Sequence, residues 1–489
     1  MRATYMPGQW IVFRYDLASV AVRPSVTLAD RHRELLNAVG VRGPKDRQPF
    51  LLSPTGLPDR RINAFFESRR VRRRSPLTWD KYAQSLRLWL NFLNATGGRW
   101  DDATDEDAEF FKEWRLTEEL NPRRVKPPTF RANVTSLRVF YRWAAAEFGV
   151  PDPVASFDDF DLQPRGARDR DIKWLDPAGY ARWRDVGLRG KDLDGRTSRG
   201  WRGRNEQRDA AFADGLYSTG LRLTEWGSVL LPELPTDEGV RGFSTCRLAS
   251  ASAKGRWGHK YWIARLPLLR VLDYVEGARA RAVRNAQAAG RYERQLNIRR
   301  AVRVESGRLR LTGADGRESV VAMDDLKPQE RRRLFRSTPQ GLEPLALWLN
   351  EDGQPRHPHG WHHTFAQANA RISTMNLPGL SCTPHMLRHS CALRWYAVGR
   401  LVYSQQFAHL DQEEAKDFRE QFGGTWQLVA TILGHASPET TKKFYLEPFV
   451  SLDVEFLLQQ IHGLALDGFL ATFLAGHPLV INDPLAGRR

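Results

Sequence analysis

The chain has 489 residues, 41% hydrophobic and 27% charged, a balance that supports ordinary buried cores, excludes a disordered chain and suggests roughly two to four domains of about 150 residues each. Its 74 Lys and Arg against 57 Asp and Glu give a formal net charge of +17, which favours a polyanionic partner without naming it; only 12 of these cations are lysines, leaving 74 − 12 = 62 arginines. Cys246, Cys382 and Cys391 form no CxxC pair, which argues against a disulfide scaffold or a zinc finger and fits a reducing, cytoplasmic setting, and neither a spanning apolar run nor a secretory leader is visible.

Residues 1–55 are mixed in character, with a β-like run from Trp10 to Tyr15 and a helical stretch from Ala29 to Val39, and suggest no function. Residues 56–150 predict a compact bundle of helices. Tyr82, Leu86, Leu88, Trp89 and Phe92 recur at helical spacing between Ser75-Pro76 and Gly97-Gly98, and Asp101 to Arg115 and Thr129 to Phe148 repeat the period, the last stopping at Gly149. The basic run Arg69, Arg70, Arg72, Arg73 and Arg74 sits at the edge of this bundle, where phosphate contact is expected. An Asp-, Arg- and Pro-rich linker occupies 151–170.

Beyond the linker, Arg208 to Leu231 reads as one long helix, and 241–267 as two strands joined by SASAKGRWGH. Residues 279–340 are dense in arginine, for which polyanion contact and plain surface are equally expected, and contain a hairpin, RVESGRLRLTGADGRESVVAM. His357, His359, His362 and His363 match no familiar zinc spacing, so a loop entering a helix at Trp361 is expected there, with no metal site.

Four segments hold ionisable residues that a bland helix would not need. They are YSTGLRLTEW with Arg222 and Glu225, the turn with Lys254, TPHMLRHS with His385 and Arg388 one helical turn apart, and LGHASPETTKKFYLEP with His435 and Tyr445. Arginine forks can neutralise a phosphodiester, histidine and lysine can move protons, and a tyrosine can attack phosphorus and hold the cut end as an ester.

In chain order, TGLRLTEW, HMLRH and LGHASPETTKKFY resemble the boxes of the tyrosine recombinases, or phage-type integrases, and the resemblance covers roughly residues 56–450. It implies a mainly α fold with a small antiparallel sheet. A helical core-binding domain over 56–150 would clamp DNA together with a catalytic domain of the DNA breaking-rejoining fold over 171–450. That domain would carry insertions near 279–380 and 401–423, followed by a C-terminal arm over 451–489. It further implies Arg222 and Arg388 as phosphate clamps, Lys254 as general acid with Lys260 as the fallback, and Glu225 as a buttress. His385 would be the proton-transfer partner, His435 a donor to the phosphate and Tyr445 the nucleophile. The interval 445 − 435 = 10 is one residue longer than the family's usual spacing.

The function so implied is site-specific recombination or integration of a mobile element, through a 3′-phosphotyrosine and without metal, ATP or other cofactor. The implied partners are double-stranded DNA recombination sites, a homo-tetramer on two such sites, and helper DNA-bending proteins, with no membrane; the implied location is cytoplasmic, on the nucleoid when bound to DNA. A type IB topoisomerase-like enzyme and a non-catalytic DNA-binding accessory protein are the alternatives.

Overall fold

The computed structural model describes residues 8–16, 43–155, 157, 174–235, 242–295, 298–305, 307–312, 318–377, 379–407, 425–434 and 480–481. It divides into two units, Met1–Arg170 and Asp171–Arg489. The helix expected over 29–39 lies outside the described residues.

In the first unit, β1 (Ile11–Arg14) pairs antiparallel with β2 (Pro49–Leu52), in agreement with the β-like run. Then come α1 (Arg60–Glu67), the single turn α2 (Arg69–Arg72), α3 (Pro76–Thr96), α4 (Asp105–Leu116) and α5 (Pro127–Phe148). The ends are set chemically. The Asp59 carboxylate accepts from the first N–H groups of α1, Ser75 caps α3 ahead of Pro76, and Thr104 and Asp107 close a reciprocal capping box on α4. Gly97 (φ 84°) and Gly149 (φ 68°) end α3 and α5 in the left-handed region that a side chain disfavours. The apolar faces meet in one core that includes Phe65, Trp89, Phe111, Phe130 and Phe140. Within it the Trp89 indole N–H donates to the Tyr141 hydroxyl at 2.7 Å, which donates to the Trp100 carbonyl at 2.9 Å, so the buried polar groups are satisfied. Burial raises the Tyr141 phenol well above its ordinary pKa, fitting a structural tyrosine.

The second unit begins with β3 (Trp174–Leu175) and α6 (Pro177–Arg182), which runs on as a π-helical turn through Trp183–Leu188. Next come α7 (Glu206–Thr219), the one-turn α8 (Leu223–Trp226), β4 (Phe243–Arg247) and β5 (Lys260–Ala264). After α9 (Arg265–Tyr274) and α10 (Ala280–Ala288), β6 (Arg299–Glu305), β7 (Arg308–Thr312) and β8 (Glu318–Ala322) run up and down. A short α11 (Pro328–Arg331) leads to β9 (Leu334–Thr338) and β10 (Gly341–Pro344), and the unit continues with α12 (Gly360–Thr374), α13 (Pro384–Phe407), α14 (Thr425–Leu433) and β11 (Val480–Ile481). The described residues are thus mainly helical with small sheets, as the sequence implies.

The antiparallel hairpin expected over 241–267 is β4–β5, with Arg247 opposite Lys260. The hairpin expected within 279–340 is part of something larger, a five-stranded sheet of order β10-β9-β6-β7-β8 in which β6 and β9 run parallel. β11 returns to pair with β3 in parallel.

The long helix expected from Arg208 to Leu231 is in fact two. Gly220 (φ 65°) ends α7, and the chain turns back into α8. Gly215 makes the return possible, because a Cβ there would sit 2.3 Å from the Trp226 ring. Trp226 is fully buried, and its indole N–H donates to the Phe212 carbonyl at 3.1 Å. Around α7 the core gathers Phe212 stacked on Trp361, and Trp348 against both Trp226 and Tyr274.

Candidate active site

The turn after Gly220 makes Arg222 the residue that opens α8, with its backbone extended (φ −70°, ψ 152°). Glu225, one turn on, reaches back. Its carboxylate accepts from the Arg222 backbone N–H at 2.8 Å and from the Arg222 guanidinium at 2.9 Å. It also accepts from the Lys254 backbone N–H at 3.2 Å, which ties the β4–β5 loop to α8. Glu225 is 1% exposed. Burial alone would raise its pKa, but the guanidiniums of Arg222 and Arg388 and the two N–H donors outweigh it and hold the carboxyl below its usual range. Glu225 is therefore an anionic hub carrying Arg222 directly and Lys254 through its backbone.

Arg388 lies on α13, buried, and its guanidinium donates to the carbonyl of Gly220 and, at 2.8 Å, to that of Leu433. It thereby joins the end of α7 to the end of α14. His385, one turn before Arg388, is exposed, with its ring 4.3 Å from that of His389. Desolvation by the surrounding protein, followed by the positive charges of Arg388, Arg222 and Lys254, lowers its pKa. Arg222, Lys254, His385 and Arg388, from three separate stretches of chain, thus share one electrostatic neighbourhood. Lys260 sits on β5 opposite Arg247 instead.

One histidine of this neighbourhood escaped the sequence reading. His259, at the end of the β4–β5 loop, packs against Gly434, where an added Cβ would lie 2.2 Å from the imidazole. Its Nδ1 lies 3.3 Å from the Trp257 carbonyl, and its Nε2 is buried with no hydrogen-bond partner. Burial first, and then the charges of Arg388 and Arg222, lower its pKa against the opposing pull of Glu225. The missed signal is the pair Gly434 and His259: Gly434 has φ +62° and no room for a side chain. His435 and Tyr445 lie outside the described residues.

A cavity of about 870 Å³ opens elsewhere on the unit, among Arg184, Arg208, Asp214 and Arg270. On its wall Asp214 is already matched, accepting from Tyr180 at 2.7 Å, Arg184 at 3.0 Å and Arg270 at 2.7 Å. Among the described residues, no group of three or more His, Cys, Asp or Glu side chains is arranged to hold a metal. The histidines of 357–363 lie at the entry to α12, where Trp361 is fully buried.

In the first unit, Arg69, Arg70, Arg73 and Arg74 are exposed and line a recess of about 460 Å³. Arg72 turns away from it and donates to the Gly43 carbonyl. Val71 between them is buried, and its carbonyl accepts from the Trp79 indole at 2.7 Å, which fixes this basic turn to α3.

Among solved structures the chain is similar to XerH site-specific recombinase bound to palindromic difH substrate, at 12% identity and TM-score 0.44 over 80% of this chain and 85% of that one. It is also similar to the Tn1549 transposon integrase in complex with transposon right end DNA, at 13% and 0.43 over 79% and 94%. A lambda integrase dimer bound to a COC′ core site matches at 10% and 0.37 over 79% and 75%. No curated protein matches the chain. The model of the phage integrase N-terminal SAM-like domain matches residues 62–147, the stretch that runs from α1 to α5.

Proposed function

We propose that the protein is a site-specific DNA recombinase of the tyrosine type, which cuts and rejoins duplex DNA through a 3′-phosphotyrosine at Tyr445. The observation that carries this reading is the gathering of Arg222, Lys254 and Arg388 around one buried carboxylate, with His385 within reach of the charges of those three residues. The integrase-type domain over 62–147 supports duplex DNA as the substrate.

In the proposed reaction, Arg222 and Arg388 draw the non-bridging oxygens of the scissile phosphodiester, whose charge they offset as it builds. The Tyr445 oxygen attacks phosphorus and the bond from phosphorus to O5′ breaks. Lys254 delivers a proton to the departing O5′, and the phenolic proton passes to His385. The lowered pKa of His385 keeps it neutral near neutral pH, ready to accept that proton. His435 donates to the phosphate. Attack by a 5′-hydroxyl of a partner strand reverses these steps and frees Tyr445. Such exchange uses several active sites, so a homo-tetramer on two DNA sites belongs to the proposal, as does a cytoplasmic location. Among the described residues, no helix is long and apolar enough to cross a membrane.

The test uses nicked duplexes drawn from the DNA that borders the gene, in which the cleaved strand diffuses away. Wild type is expected to form a denaturant-stable covalent adduct with the 3′ end, and Tyr445→Phe none. An adduct with Tyr445→Phe would show that the nucleophile is another residue. Site-independent relaxation of supercoiled plasmid by a monomer would move the reading to a type IB topoisomerase-like enzyme.

A further inference from the structure

The arginines of 279–340 fall into two groups that the sequence cannot separate. Arg279 and Arg331 are each 2% exposed and consumed by the fold. Arg279 donates to the carbonyls of Leu347, Pro344 and Ala346 and to Glu343. Arg331 donates to the carbonyls of Leu326, Ser228 and Met323 and to Glu233. Arg300, Arg303, Arg308 and Arg310 are exposed, and the strand register sends them to one face of the β6–β7–β8 ribbon. Leu309 and Leu311 point into a core with Ala301, Leu230 and Leu334. Alternation therefore turns Arg308 and Arg310 the other way, and Arg303, directly opposite Arg310, shares their face, as does Arg300, opposite Thr312.

α10 and the turn after it cover only part of that face, where Val283, Ala286 and Tyr292 pack on Phe335 and Leu342 of β9 and β10. The remainder, over β6, β7 and β8, is left to solvent. Two arginines directly opposite each other across a ladder destabilise it. The nearby acids do little to offset this, because the Arg303–Glu305 pair (2.6 Å) and the Arg310–Glu318 pair (3.2 Å) are both solvent-exposed. Folding does not account for this concentration of charge.

The face also adjoins the candidate active site. After β8 the chain turns through Met323–Asp325, and Asp324 accepts at its backbone carbonyl from the Ala251 N–H (2.9 Å) and at its carboxylate from the Ser250 N–H (3.1 Å). The ribbon is thereby fastened to the loop that carries Lys254.

We propose that the solvent face of β6–β7–β8 is a second binding surface for the sugar–phosphate backbone of duplex DNA, extending the track beyond the segment held at Lys254. The proposal rests on the reading of the protein as one that acts on duplex DNA. Same-face residues along a strand recur about every 7 Å, so Arg308 and Arg310 present successive guanidinium forks, a geometry suited to phosphate oxygens. Such contacts fix position and affinity without reading sequence.

The experiment measures binding of the full chain to a duplex of about 60 base pairs across roughly 50–200 mM salt, for wild type and for the variant with Arg300, Arg303, Arg308 and Arg310 all changed to Ala. Each lost phosphate contact removes about 0.9 from the slope of log K against log salt, so the slope should fall in magnitude by about 3 to 4. Affinity at the lowest salt should drop at least about tenfold. The four-fold change to Lys should keep most of the wild-type slope, which separates charge from folding. Covalent trapping on a saturating short nicked duplex should be unchanged in the Ala variant. A slope equal to wild type in the Ala variant overturns the surface, including the case in which the face instead docks an acidic protein. A wild-type chain that binds no duplex overturns the parent reading instead.

Discussion

A carboxylate shut away from water is destabilising unless cations and N–H donors surround it, and Glu225 has both. Replacing it with Gln keeps the shape but leaves Arg222 and Arg388 facing a neutral group, which should cost about 3 kcal/mol at pH 7. Because the folded carboxyl titrates below its unfolded value, its contribution is full above the ordinary Glu range and is lost as pH falls through the lower, folded value. The stability gap between wild type and Glu225→Gln, measured by denaturant unfolding, should stay constant from pH 7 to about 5 and narrow on further acidification. A gap that ignores pH would show that the carboxylate carries no charge there. Glu225 and Arg222 were legible in the sequence because their contact spans a single helical turn. His259 was not, since its defining neighbour is a glycine in a distant segment and nothing local distinguishes it from a surface histidine.

The same glycine links two elements. α14 ends at Gly434, and the β4–β5 loop ends at His259, which lies on it. Gly434→Ala should destabilise by about 2 to 4 kcal/mol, combining a left-handed backbone with a side chain forced into the imidazole. His259→Ala removes the obstacle, so the double variant should recover about 1 to 3 kcal/mol of that loss in a double-mutant cycle, leaving the backbone cost. Additive losses would mean that the loop and α14 do not meet in solution. Element legibility followed local chemistry. Pro76 with Gly97 and Pro127 with Gly149 bracket α3 and α5 within a few residues of expectation. The α7–α8 break escaped because α7 is buried nearly all round from Ala210 to Thr219, so no amphipathic stripe changes phase where Gly220 ends it. The mixed sheet escaped because the β6–β9 pairing is parallel and non-local, and periodicity carries no trace of such a partner.

At the scale of the whole molecule, the main cores of the two units share no residue. One holds Trp89, Phe111 and Phe140, the other Phe212, Trp348 and Trp361. Positive charge is spread over both units. Residues 1–170 contain 29 Lys and Arg against 22 Asp and Glu, a net +7, and the remaining 74 − 29 = 45 against 57 − 22 = 35 give +10. Each unit therefore has its own reason to fold and its own attraction for a polyanion. Calorimetry of the full chain should resolve two unfolding transitions, since separate cores melt as separate cooperative units. A fragment of residues 1–170 should reproduce one of them, with an enthalpy near 0.7 kcal/mol per ordered residue. The same fragment should bind duplex DNA weakly, and changing Arg69, Arg70, Arg73 and Arg74 to Ala should lower its salt slope by about 3 to 4 without moving its melting transition, because those four side chains are exposed and line their recess without carboxylate partners among the described residues. A fragment that stays unfolded, with a full chain melting in one indivisible step, would mean that the first core depends on the second and that the basic recess is not an independent DNA-binding element.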